Sequence, residues 1–184
     1  MASRYLNSSR VASKTQQRAR NYPHWPSVER FVAQVRQLEP LLVLLFGSVA
    51  TGEFTQYSDA DVLVIFQQSV PWEMVYACSD GFVQPVVKTW REIEAKVRSG
   101  EPFYCEIAED ALVLFDAGGV YEQLQRLTTI SREYWGLERT SSGWRWTAGE
   151  RTVTHPTADG SAARIREPNS EYKSPVADEL PPVE

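Results

Sequence analysis

Cysteine is nearly absent from this 184-residue chain. Cys78 and Cys105 are far apart, so neither a disulfide scaffold nor a C-x-x-C metal pair is available, and two reduced, buried thiols are expected. Histidine is as scarce: His24 and His155 have no second metal-ligand type at helical spacing, which argues against zinc chemistry and a Ser-His triad. Long apolar runs are missing too. Leu41 to Phe46, the longest aliphatic stretch, falls far short of the roughly 20 residues a membrane helix needs. The basic N-terminus lacks the apolar core of a secretory signal, so a soluble cytoplasmic protein is expected. Cationic excess is lacking as well: formal net charge is −5, a poor balance for general nucleic-acid binding.

What is present is organised in three zones. Residues 1–22 carry Arg4, Arg10, Lys14, Arg18 and Arg20 with no acid and read as a basic flexible arm. Residues 23–136 alternate between helical and strand patterns and form the folded unit. Residues 137–184 read as an extension, a small hairpin around Trp144-Arg145-Trp146 and then, from about Pro156, a Pro-rich acidic tail too polar to order itself. Within the unit, Val28, Phe31, Val32, Val35 and Leu38 make a helical stripe, with Ser27 as N-cap and Pro40 as stop. Leu41–Phe46, Asp61–Phe66, Phe82–Lys88 and Ala111–Phe115 read as strands, and Pro71–Cys78 as a short helix. Thr89 and Glu92 spell a capping box, and a last stripe from Val120 to Tyr134 stops at Gly136. This order predicts an α/β (α+β) fold, a small mixed sheet flanked by helices. Trp72, Trp90 and Trp135 are expected in its core, and Gly118-Gly119 reads as a turn.

One segment carries chemistry. A buried strand ends in Gly47-Ser48, polar loop residues follow, and Asp59-Ala60-Asp61 leads into a second buried strand. Strand side chains alternate, so Asp59 and Asp61 share a face while Ala60 points away. Two carboxylates side by side repel, and a hard divalent cation such as Mg²⁺ resolves the repulsion. Gly47 lets the backbone turn sharply, and Ser48 puts a hydroxyl at the start of a helical turn whose free N–H groups suit a phosphate. Together these are the parts of a site for a nucleoside triphosphate with Mg²⁺. The plainer alternative is a polar turn with a capping Asp.

Gly47-Ser48, ten residues, then Asp59-x-Asp61 resembles the signature of the minimal nucleotidyltransferase family, a branch of the polymerase-beta-like nucleotidyltransferase superfamily. Phe82 to Thr89, the helix to Gly100, Pro102-Phe103 and Ala111 to Phe115 are similar to stand-alone archaeal members. The resemblance implies transfer of a nucleoside monophosphate, AMP from ATP, to a hydroxyl of a protein or small molecule. It implies that Ser48 holds the β/γ phosphates with Gly47 beside it, and that Asp59 and Asp61 bind one or two Mg²⁺ ions. It also implies a partner: many such proteins are antitoxins that modify a HEPN-type toxin. A domain this small is expected to complete its cleft with such a protein or with a second copy of itself.

The chain departs from the family in two places. Thr51 stands where many members carry Arg, and Gln84 stands where a third carboxylate normally binds the metal that activates the acceptor. Asp80 or Glu106 could substitute, and Lys88 could reach a phosphate. Gln84 keeps a second reading open, a catalytically degenerate relative that binds nucleotide or a partner. The basic arm and the Trp-Arg-Trp run suggest a third, a nucleic-acid module, against which the plain hairpin weighs.

Overall fold

The computed structural model describes residues 17–140, 143–146, 150–156 and 162–168. Four strands, β1 (Leu42–Phe46), β2 (Ala60–Phe66), β3 (Val83–Thr89) and β4 (Leu112–Asp116), form one mixed sheet in the order β3-β2-β1-β4. β1 runs antiparallel to both β2 and β4, while β2 and β3 are parallel. A mixed sheet with helices around it is the architecture that the strand and helix patterns predict.

Both faces of β1 and β2 are covered, which is why these strands read as continuous apolar runs. Val43, Leu45, Val62, Val64 and Phe66 face one layer, where α1 (Trp25–Val35) contributes Val28, Phe31 and Val35. Leu42, Leu44, Leu63 and Ile65 face the other. There they meet Ile93 and Val97 of α4 (Trp90–Arg98), Ile107 of α5 (Pro102–Asp110), and Leu124 and Leu127 of α6 (Val120–Trp135). At roughly 1.5–3 kcal/mol for each fully buried aliphatic side chain, this double-sided packing is the main stabiliser of the sheet. Two short helices, α2 (Gly47–Thr51) and α3 (Trp72–Tyr76), occupy the β1–β2 and β2–β3 connections.

Local signals explain several boundaries. Thr89 accepts from the Glu92 backbone N–H at 3.2 Å while the Glu92 carboxylate accepts from the Thr89 N–H at 2.7 Å, a complete capping box. Asp116 gathers the N–H groups of Gly118, Val120 and Tyr121, so Gly118-Gly119 is a turn whose donors are already taken. Cys105 is buried, and its thiol is pushed up to about 11 by that burial, which fits an inert packing role.

Other expectations are corrected. α1 begins at Trp25 with Pro26 in its first turn; Ser27 lies inside the helix, where its hydroxyl accepts from Arg30, so it is no N-cap. The apolar residues of α5 read as no clear stripe, and this helix is not among the expected elements. Trp135 is 3% exposed but Trp72 is 60% exposed, because five-residue α3 buries only Val75. The arm expected over residues 1–22 ends inside the core: Ala19 and Tyr22 are buried, and residues 1–16 lie outside the described residues.

β5 (Leu137–Thr140) and β6 (Gly143–Trp146) pair antiparallel as a hairpin. Its Trp144 ring is covered by the guanidinium groups of Arg132 and Arg139, which removes it as a free stacking platform for a base. Beyond it, β7 (Glu150–Pro156) pairs antiparallel with β8 (Ala162–Pro168), and β8 lies within the tail expected from about Pro156 to be unstructured. The tail's remainder, residues 169–184, lies outside the described residues.

Candidate active site at the β1–β2 edge

The strand directions assemble the site. β1 ends where β2 and β3 begin, so Phe46, Asp61 and Gln84 lie in one row across the sheet edge: Phe46 pairs with Asp61, and Asp61 with Gln84. Parallel partners in register project to the same face. Gln84 therefore stands on the same side as Asp61, at the position sequence reasoning gives the missing third carboxylate. Ala60, between the acids, is fully buried on the α1 side, as alternation requires.

Gly47 follows Phe46 with φ +71°, a left-handed conformation that glycine adopts without strain. A Cβ at this position would lie 2.7 Å from Asp61 Oδ2. The absence of a side chain is thus what admits the Asp61 carboxylate against the turn. Ser48 is half-buried in the next position, and its carbonyl accepts from Thr51 Oγ1 at 3.2 Å and from the Glu53 N–H at 2.9 Å, closing α2.

The electrostatics match this crowding. Burial pushes the Asp61 carboxyl above the usual carboxylate range, and the charge of Asp59 pushes it further. The charge of Asp59 thus acts on the Asp61 carboxyl. Among the described residues no group of three or more His, Cys, Asp or Glu side chains forms a metal cage. The donor set is two carboxylates and the exposed Gln84 amide, all oxygen ligands, which suits a hard divalent cation that keeps part of its coordination for water or phosphate.

Beside the turn lies a cleft of about 360 Å³. Gly47 and Ser48 line one wall, and Phe103, Glu106 and Asp110 of α5 the other, with Phe46 and Phe103 packed edge to face at 5.6 Å. Asp59 and Asp61 do not line it; Asp61 meets its rim at Gly47. The α5 wall is held from outside, since Arg139 of β5 bonds Asp110 at 2.5 and 3.0 Å and Glu109 at 3.1 Å.

The remaining candidates are sorted by position. Glu106 faces the cleft. Asp80 does not: Arg30 bonds it at 2.5 Å and the Phe82 N–H at 3.4 Å, and the Arg30 bond holds its carboxyl below the usual range. Lys88 is not brought to the site. It lies four residues along β3 from Gln84, about 13 Å away at strand rise, and pairs with Glu92 at 3.5 Å. Sequence reasoning overlooked Tyr22, whose hydroxyl bonds the Ser58 carbonyl, the group just before Asp59. A lone tyrosine in a polar segment gives no periodic signal.

The family model described as nucleotidyltransferase domain matches residues 28–113, just under half of the chain. Residues 28–113 are thus similar to a nucleotidyltransferase domain. That span holds β1 to β3, both acids, the Gly47-Ser48 turn and the cleft. Nucleotidyltransferase domains use a nucleoside triphosphate and a divalent metal, and the chain is accordingly an enzyme of this type. A solved structure named as a putative nucleotidyltransferase from Sulfolobus solfataricus is similar at 19% identity and a TM-score of 0.37, over 58% of this chain and 88% of that one. No curated protein matches the chain. Among the described residues no helix is long and apolar enough to cross a membrane.

Proposed function

We propose that the protein is a cytoplasmic, Mg²⁺-dependent nucleotidyltransferase of the minimal type, which transfers AMP from ATP to a hydroxyl on a protein or small molecule. The observation that carries this reading is the Asp61 carboxylate lodged against side-chain-free Gly47, next to Ser48 and under the charge of Asp59.

Asp59 and Asp61 hold the cation, with the Gln84 amide oxygen as a neutral third donor. When bound, the cation neutralises charge that develops on the α-phosphate and the departing pyrophosphate. Ser48 binds the β/γ phosphates, and Gly47 keeps the backbone close to them. The acceptor oxygen attacks the α-phosphorus, forming the new P–O bond as the bond to the bridging oxygen breaks. Gln84 cannot take the acceptor's proton, and Asp80 is occupied by Arg30. Glu106 lines the same cleft as Ser48, on the side of the departing pyrophosphate, so the acceptor's proton passes to solvent. Most of the rate enhancement comes from positioning and electrostatics.

An antitoxin-like role, modifying a HEPN-type partner, or completion of the cleft by a second copy fits the small domain. The test is incubation with ATP labelled at the α-phosphate, Mg²⁺ and candidate acceptors. Label transfer that Asp61→Asn abolishes supports the reading. Absence of transfer with normal Mg-ATP binding favours a nucleotide-binding or partner-binding relative, which the Asp61–Gln84 register motivates.

A further inference from the structure

Asp59 lies just outside the β2 ladder, so nothing in the sheet itself fixes its direction. The peptide units on either side of it are nevertheless both held. On one side, Tyr22 Oη donates to the Ser58 carbonyl at 2.5 Å. That carbonyl and the Asp59 N–H belong to one rigid plane. On the other, the Ala60 N–H donates to the Phe82 carbonyl at 2.9 Å. Asp59 is suspended between two anchored peptides, one of them anchored from 36 residues away in sequence.

The anchor is itself rigid. Tyr22 is 2% exposed, and its ring meets Phe54 edge to face at 5.4 Å and His24 at 5.5 Å. His24 in turn stacks on Phe82 at 3.6 Å, and Phe82 supplies the carbonyl that binds Ala60. The contacts therefore close a ring, from Tyr22 through Ser58, Ala60 and Phe82 to His24 and back, with Asp59 inside it. Ser58 cannot turn freely either, because its Oγ accepts from the Thr55 N–H at 3.0 Å. Tyr22 and His24 both precede residue 28, where the nucleotidyltransferase match begins.

We infer that Tyr22 is a positioning residue for the metal site: its hydroxyl sets the Ser58–Asp59 peptide and so aims the Asp59 carboxylate at the cation shared with Asp61. The inference rests on the proposed role of Asp59 as a metal ligand. Burial and the nearby Asp59, Asp61 and Asp80 charges raise the Tyr22 hydroxyl above the usual phenol range, so it remains a donor at neutral pH.

The test titrates the full chain with Mn²⁺ alone, reading free Mn²⁺ by electron paramagnetic resonance, with melting temperature followed in parallel. Tyr22→Phe keeps the ring and removes the bond. It should weaken Mn²⁺ binding roughly tenfold, about what one hydrogen bond governs. Val28→Ala, a truncation in the same buried cluster, should lower the melting temperature and leave Mn²⁺ affinity unchanged. Asp59→Asn should abolish binding. If Asp59→Asn abolishes binding while Tyr22→Phe binds like wild type, the positioning role is overturned and the ligand assignment stands. If Val28→Ala loses as much affinity as Tyr22→Phe at a matched stability loss, the effect is general loosening and the inference also fails. Wild-type affinity in Asp59→Asn would overturn the ligand assignment and, with it, this role for Tyr22.

Discussion

Asp61 and Gln84 are direct partners across the parallel β2–β3 pair, projecting to one face at the same end of the sheet. One is a carboxylate whose proton affinity is raised by burial and by Asp59; the other is its neutral neighbour. A glutamate at position 84 would face the cation that we propose Asp59 and Asp61 bind. Gln84→Glu should raise divalent-cation affinity about tenfold and increase AMP transfer, measured by titration and by label incorporation. It should also lower the melting temperature without metal, through like-charge repulsion.

Asp61→Asn should reduce transfer at least 100-fold, because the bound metal supplies the main charge stabilisation of the reaction. The pH dependence follows from the raised proton affinity. A carboxyl whose folded pKa exceeds its unfolded one favours folding below the unfolded pKa and loses that contribution as pH rises through the folded pKa. At neutral pH without metal, Asp61→Asn should therefore melt higher than wild type. The gap should close as pH falls below the usual carboxylate range, which melting curves over pH would reveal. Adding Mg²⁺ should raise the wild-type melting temperature and leave the variant's unchanged.

Gly47→Ala places a methyl group 2.7 Å from Asp61 Oδ2 on a left-handed backbone. The backbone strain alone costs roughly 1–2 kcal/mol. The carboxylate must also move from the turn. A melting-temperature drop of about 2–8 °C with loss of Mn²⁺ binding is expected.

Thr89→Ala opens the capping box of α4 and should cost about 1 kcal/mol, or roughly 2–4 °C in melting temperature. Thr89 is at the far end of β3 from Gln84, so turnover of the folded enzyme should be unchanged. A loss of turnover at a temperature well below melting would show that the two ends of the sheet are coupled.

The sheet was legible because its signals are local: doubly covered strands are apolar throughout, and caps and stops sit at fixed offsets. The Gly47-Ser48 turn and Asp61 were legible for a similar reason, since chain direction alone brings the end of β1 and the start of β2 to one edge. Gln84 was placed by the family resemblance, and the parallel β2–β3 register pairs it with Asp61. What escaped reading depends on distant partners. The burial of Tyr22 requires Phe54 and His24 in three dimensions, and no periodicity announces it. The sequestration of Asp80 requires Arg30, 50 residues away. The exposure of Trp72 reflects how little of a one-turn helix the sheet can cover.

The grip of Arg139 on Glu109 and Asp110 has a practical corollary. Both acids sit at the end of α5, which carries the cleft's second wall, while their counter-charge arrives from beyond residue 113: Arg132 of α6 pairs with Glu109, and Arg139 of the hairpin with both. A fragment trimmed to the matched span would keep the chemistry's acids yet leave that wall bristling with uncompensated anions. Expression boundaries drawn by homology alone would thus yield a frayed, more negative mouth that repels the very polyphosphate it must admit.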